Sequence, residues 1–292
     1  MRLALLGLAI VCLSQPAILI RLAHAPNEAI GFWRLSFAVA LLAPSAWARR
    51  RNWTALPGRA RASTGFAGLL FFSHLWTFVY SAQHTSVAHC MIAFSTHPIW
   101  TGLGAWLFFG ERLTRRVLLA WALAAAGVAA LFAGKMSGTA TPAGDAAALL
   151  SALMFSGYVL AGKDVRRRLD NIVFTVVCGA VVSGLFLAAG VARGVPFFGY
   201  PWSFWACVLA LAAAVSIAGH ALFTHLLNSM DVNALSCAKL LEPPLAAVWA
   251  YRAFGERLAP GTALSFAFVA AGVLVLLRGG GAVARLPAEL DD

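Results

Sequence analysis

Charge is what this chain has least of. Asp, Glu, Lys and Arg together make up 11% of its 292 residues, and only 11 residues are acidic. A soluble domain carries roughly 25% charged residues, so this supply cannot cover a water-facing surface, and a soluble fold is excluded. Cysteine is also scarce. Cys12, Cys90, Cys178, Cys207 and Cys237 lie within apolar runs at no metal-type spacing, which argues against a disulfide framework or a metal module and leaves small buried apolar side chains. His-Glu-x-x-His, Gly-x-Ser-x-Gly and phosphate-binding loops are missing, as are paired aspartates within the apolar runs. A membrane-embedded enzyme needs such convergent groups; it stays as the remote alternative, and no cofactor or metal is expected.

What the chain has in quantity is apolar length. It is 61% hydrophobic with a mean hydropathy of +0.81. Spanning a bilayer takes ~20 mainly apolar residues per helix. Ten segments qualify, at about 2–20, 28–47, 63–82, 85–108, 114–134, 144–163, 171–192, 203–226, 232–253 and 260–278. The expected fold is therefore an all-α membrane protein of ten transmembrane helices. The first segment mimics a signal peptide, with Arg2 before the apolar run and Ala23-His24-Ala25 after it. Its loss would leave one half of the molecule a helix short, so it is counted as a span.

Lys and Arg fix the orientation. With the N-terminus in the cytoplasm, 15 of the 22 cationic residues fall on the inner side and 5 on the outer, while Arg34 and Lys239 lie inside helices. Both ends are then cytoplasmic, in what is expected to be a bacterial inner membrane. The net charge of +11 reads as affinity for anionic headgroups, not for nucleic acid.

One phrase occurs twice. Phe109-Gly110-Glu111-Arg112-Leu113 returns 145 residues later as Phe254-Gly255-Glu256-Arg257-Leu258. Pro98 and Pro243 precede the two copies at matching depth, and Ala125-Ala126-Gly127-Val128 and Ala270-Ala271-Gly272-Val273 follow them. Without a gap, residues 85–134 match 230–279 at 17 of 50 positions. This is a duplication: a first five-helix repeat over 1–134, a connecting loop over 135–143, a second repeat over 144–279 and a cytoplasmic tail over 280–292. Five helices per unit is an odd number, so the second unit enters the membrane from the opposite side. Inverted-topology repeats of this kind build many secondary transporters, with substrate held near the midplane between them.

Two five-helix units, each ending helix–Gly-Glu-Arg-Leu–helix, resemble the EamA-type branch of the drug/metabolite transporter superfamily. The stretch Leu-Glu-Pro-Pro-Leu-Ala-Ala-Val-Trp-Ala before the second Phe-Gly-Glu-Arg-Leu is similar to that family's ninth helix, and Arg34 to the arginine common in its second helix. The resemblance implies helices 1, 3, 4, 6, 8 and 9 around a central cavity, with 5 and 10 outside. It implies export of a small molecule without naming which, since such proteins move amino acids, drugs and assorted metabolites. The family usually has no lysine at the position of Lys239, which points to a substrate-specific use.

Charged groups at the centre of a membrane helix cost about 2.5–3.5 kcal/mol each, so each needs a partner, water or a route to the interface. Lys239 lies roughly 12 Å along helix 9 from Asp231 at 1.5 Å per residue, and Glu242 is on the same helix face. Pro243 and Pro244 follow and free the carbonyls of Lys239 and Leu240. These groups either line a substrate site in a broken helix or neutralise one another along the helix. Arg34 reads as a structural or gating cation, snorkelling outward or pairing with Glu242. His97 occupies the repeat position of Glu242, before Pro98, and reads as a proton-coupling group or as a hydrogen-bonded structural histidine. Ser216, His220 and Thr224 form a polar stripe on helix 8 that lines water or joins helices, with His74 almost at the matching position of helix 3. Ser14-Gln15-Pro16 interrupts helix 1, which places Gln15 as cavity lining, and Tyr158 is midway along helix 6. Trp76, Phe78, Tyr80, Trp100 and Trp249 are either an aromatic wall for an aromatic or cationic solute or lipid-facing packing. Glu111 and Glu256, in the two turns, read as structural.

The favoured reading is an alternating-access exporter of a small polar or amino-acid-like solute, whose carboxylate meets Lys239 or Arg34 and whose ammonium meets Glu242. A multidrug or cation exporter and a passive facilitator share the same fold. The partners are the substrate and the bilayer, with a proton coupled through Glu242 or His97 as the weaker reading, in a monomer or a homodimer.

Overall fold

The structure is a computed structural model that describes residues 2–50, 53, 56–110, 114–133, 141–163, 165–167, 169–219, 222, 241–257 and 259–277. Among these it is helical throughout, with no strand. The chain runs through α1 (Arg2–Leu13), α2 (Pro16–Leu22), α3 (Asn27–Ala48), α4 (Gly58–His84), α5 (Val87–Phe94), α6 (His97–Phe109), α7 (Arg115–Ala133), α8 (Pro142–Ala161), α9 (Asn171–Ala192), α10 (Trp202–Ala210), α11 (Glu242–Phe254) and α12 (Pro260–Leu277). Among the described residues, five helical stretches are long and apolar enough to cross a membrane: α3, α4, α8, α9 and Trp202–Gly219. The pair α1 and α2, bent by 44°, makes a sixth.

Proline sets the breaks. Pro16 opens α2, where its missing N–H costs nothing, and the helix bends at Gln15 as the sequence leads one to expect. Helix 4 of the sequence reading is two pieces, α5 and α6, parted at Ser95-Thr96 before His97-Pro98. There the hydroxyls fold back onto the chain: Ser95 Oγ donates to Met91 O at 2.8 Å and Thr96 Oγ1 to Ala93 O at 2.7 Å. Side chains cap other starts. Ser86 accepts from His89 N, Thr141 from Gly144 N, and Asp170 from Ile172 N and Val173 N. After α10 the chain continues in π-helical turns over Leu211–Gly219, a wider spiral often found at functional positions.

The duplication is visible in the fold. α6 and α11 are both 13 residues long and begin 145 residues apart, at His97 and Glu242. Both end on a left-handed glycine, Gly110 at φ 68° and Gly255 at φ 69°, a backbone region closed to most other residues. α7 and α12 begin 145 residues apart as well, at Arg115 and Pro260, and they pack on each other. A Cβ on Gly127 would meet Val269, Ser265 O and Phe268 at 2.9–3.2 Å, and one on Gly272 would meet Ala120 O and Leu123 at 2.8 and 3.4 Å. Subtracting 145 turns Ser265 and Phe268 into positions 120 and 123. The two contacts are therefore one contact read in both directions, as across a two-fold axis. A helix pair in which 127 meets 120 of the other copy, and 120 meets its 127, runs antiparallel.

Packing divides the molecule. At the end where the α2–α3, α4–α5 and α11–α12 turns gather, Ile20, Val87, Cys90, Phe204, Leu211 and Ala246 are fully buried in one cluster. This is called the Glu256 end below. Toward the opposite end a second cluster joins α4, α8 and α9 around Ala67, Tyr158, Phe174 and Cys178.

Candidate functional site

Three of the residues singled out from the sequence converge. The His74 ring on α4 lies between Phe71, Phe94 and Phe155, with centroids at 5.8, 5.2 and 5.0 Å. His97 touches the same Phe94 and Phe155 at 5.3 and 5.1 Å. Tyr158 stacks on Phe71 at 4.7 Å and continues to Phe174 at 5.9 Å. The guanidinium of Arg166 closes this row, 4.6 Å from the Phe174 ring and 5.1 Å from that of Tyr158. α4, the α5–α6 break, α8 and α9 thus share one aromatic row. Hydroxyls of α6 and α8 meet its polar atoms. His74 Nδ1 lies 2.8 Å from Ser151 Oγ, and Ser156 Oγ donates to His97 O at 2.7 Å, as does Thr101 Oγ1 at 3.0 Å. The sequence reading missed Phe71, Phe155, Ser151 and Ser156. Ser151, Phe155 and Tyr158 recur at helical spacing, which is the signal that would have found them.

The other candidates are dispersed. Trp76, two residues from His74 and hence on another side of α4, stacks on Phe186 at 5.6 Å, with Arg193 above it at 5.9 Å. Trp100 donates Nε1 to Thr96 Oγ1 at 3.3 Å. Tyr80 stacks on His84, while Phe78 touches His74 and Phe94 and Trp249 borders the cluster at the Glu256 end. The aromatic wall drawn from the sequence is therefore not one surface. Gln15 is half-buried at the α1–α2 bend, 3.3 Å from Ser14 Oγ. Pro98 occupies the first turn of α6. Glu242 opens α11, where a carboxylate suits the positive end of the helix dipole, with Pro243 buried and Pro244 half-buried behind it. Arg34 is buried on α3 and donates Nε and Nη2 to Ser216 Oγ, each at 3.2 Å. Ser216 in turn donates to Leu211 O, five residues back in the π-helical segment, at 3.0 Å. Lys239, His220, Thr224 and Glu111 lie outside the described residues.

The Glu256 end carries polar ties that the sequence did not announce. The Glu256 carboxylate takes a hydrogen bond from Arg21 and another from Val87 N at 3.0 Å, and Arg21 also lies 4.4 Å from the Phe254 ring. Beside it, buried His89 donates Nδ1 to both oxygens of buried Asp145, at 3.0 and 3.1 Å. Thr85 Oγ1 donates to the same carboxylate, and Thr262 Oγ1 stands 3.3 Å from His89 Nε2. Glu28, buried on α3, pairs with Arg193 at 2.9 Å. Charges kept this deep in apolar surroundings persist only when paired and hydrogen-bonded.

Long apolar helices, proline-broken spans and two halves that repeat each other define a multi-pass helical membrane protein of transporter type. The EamA-like transporter family matches residues 2–133 and 142–278, one stretch for each half, and the chain belongs to that family. Its members are transporters of the drug/metabolite type, not enzymes. No protein of curated function matches the chain. Among solved structures, a chain titled only as the crystal structure of a protein is similar over 94% of this chain and 97% of its own, with a TM-score of 0.65 and 21% identity. A likeness at that identity concerns the fold alone.

Proposed function

We propose that this protein is a secondary carrier working by alternating access, built from ten spans as two inverted five-helix repeats. The reciprocal contact of Gly127 and Gly272 carries this reading. Equivalent helices that pack antiparallel about a two-fold axis support two repeats in opposite senses across the bilayer, the arrangement with which such carriers exchange two access states. The charge bias adds the orientation, both termini in the cytoplasm of a cell with an inner membrane. The solute is a small polar or amino-acid-like molecule moved outward, with Lys239 and Glu242 as its charged contacts at the second proline break. The aromatic row through His74, His97 and Tyr158 borders the first break.

Counterflow in proteoliposomes preloaded with a mixture of unlabelled amino acids tests this reading. Uptake of the matching radiolabelled amino acids is expected to saturate and to be stimulated from the far side. Lys239→Ala and Glu242→Gln are each expected to weaken the apparent affinity about tenfold or more, the effect of losing ~1.4 kcal/mol. Unsaturating flux would make the protein a facilitator. Unchanged affinity in both variants would remove the site assignment.

A further inference from the structure

We propose that Glu256 is the latch that holds the Glu256 end of the bundle closed. Its carboxylate joins two elements of the first repeat, the end of α2 through Arg21 and the start of α5 through Val87 N, to the turn between α11 and α12 of the second. The inference rests on the carrier reading, in which this end opens and closes in each cycle. It adds which residues must part.

A glutamate in a helix–helix turn ordinarily caps its own helices or meets solvent. Glu256 does neither alone. Both its side chain and that of Arg21 are mostly withdrawn from solvent, at 16% and 14% exposure. Val87 N is one of the four N–H groups that a helix start leaves without an intrahelical acceptor, and a carboxylate opposite that start also suits the helix dipole. Breaking the tie therefore takes a carboxylate from Arg21 and an acceptor from a helix start in a half-dry setting. The His89–Asp145 pair stands beside the latch and spans the same gap between repeats, from α5 to α8, with Thr262 of α12 on its other side. Directly beneath, the cluster of Ile20, Val87, Cys90 and Phe204 excludes water. The opposite end has a weaker counterpart among the described residues. There Arg49 meets Asp170 at 3.5 Å with side chains 45% and 30% exposed, and pairs this open to solvent contribute little. Arg166, 145 residues after Arg21, lies over aromatic rings.

Cys90 is fully buried under the latch, so it reports opening without any knowledge of the solute. The experiment uses full-length protein in lipid nanodiscs carrying Cys12→Ala, Cys178→Ala, Cys207→Ala and Cys237→Ala, which keeps Cys90 alone. A second protein keeps Cys178 alone, buried in the other cluster, by replacing Cys90 in place of Cys178. Reaction with a charged methanethiosulfonate reagent is timed in each. Glu256→Gln keeps an oxygen for Val87 N but removes the charge that holds Arg21. It is expected to speed Cys90 modification by about tenfold or more, the shift in a closed–open equilibrium that ~1.4 kcal/mol produces. Arg21→Gln, acting from the other side of the tie, is expected to do the same, with Cys178 staying protected in both variants. An unchanged Cys90 rate in both variants overturns the latch. A Cys178 rate that climbs in step also overturns it, because the protein has then loosened everywhere. Failure of counterflow with a responsive Cys90 would remove the carrier and leave the latch.

Discussion

The α7–α12 pair and the α5–α8 pair join the two repeats by opposite means. The first is symmetric and apolar, with Gly127 against the backbone of α12 and Gly272 against that of α7 through equivalent positions. The second is one-sided and polar. His89 and Asp145 are buried together, yet the residue 145 after His89 is Ala234. Duplication preserved the scaffold where both copies meet the same demand, namely close approach of two helices. At the Glu256 end one face of the molecule holds a buried pair, His89 with Asp145, that the twin sequence does not encode.

Breaking the polar side of this comparison should have the larger effect. Asp145→Ala leaves His89, the Thr85 hydroxyl and the cluster around them without their acceptor. Removing one partner of a buried pair costs about 3–5 kcal/mol, and equilibrium unfolding in detergent measures the loss. A loss below about 1 kcal/mol, the size of an exposed pair, would mean that water reaches this end and that the contrast is overstated. The symmetric side should respond less, and equally. Gly127→Val and Gly272→Val each push a side chain into the facing backbone, an overpacking cost of about 1–3 kcal/mol. The two single losses should agree within about 0.5 kcal/mol, and the double variant should deviate from their sum because the sites share one interface. Unequal losses would break the two-fold reading of the contact.

Much of the scaffold was legible before any coordinates. Pro16 marks a break because a proline lacks the N–H that the preceding turn needs, whereas the break before Pro98 falls inside the single span drawn over 85–108. Gly110 and Gly255 mark helix ends because of their left-handed backbone. The 145-residue offset carries over from the sequence onto helix starts. Other features were hidden for physical reasons. Asp145, in the first turn of α8, reads as a complement to the helix dipole; nothing in its spacing reveals that it faces His89 across the bundle. α4 begins at Gly58, ahead of the apolar run drawn from 63, because its first turns are polar and hydropathy does not register them. The π-helical segment after α10 was not foreseen, since hydropathy carries no trace of a change in helical pitch. The row through Phe71, His74, Phe94 and Phe155 depends on which faces of α4, α5 and α8 meet, and that is a property of packing and not of any one segment.

The inverted repeat is the central claim, and positions 145 apart in the two turns test it without a substrate. In a cysteine-free protein, Thr114→Cys and Ala259→Cys place single reporters next to the starts of α7 and α12. Sealed vesicles of known orientation are exposed to a membrane-impermeant maleimide, before and after permeabilisation. The account predicts that one reporter reacts only from outside the vesicle and the other only once the membrane is opened. Reaction of both from the same side would contradict it.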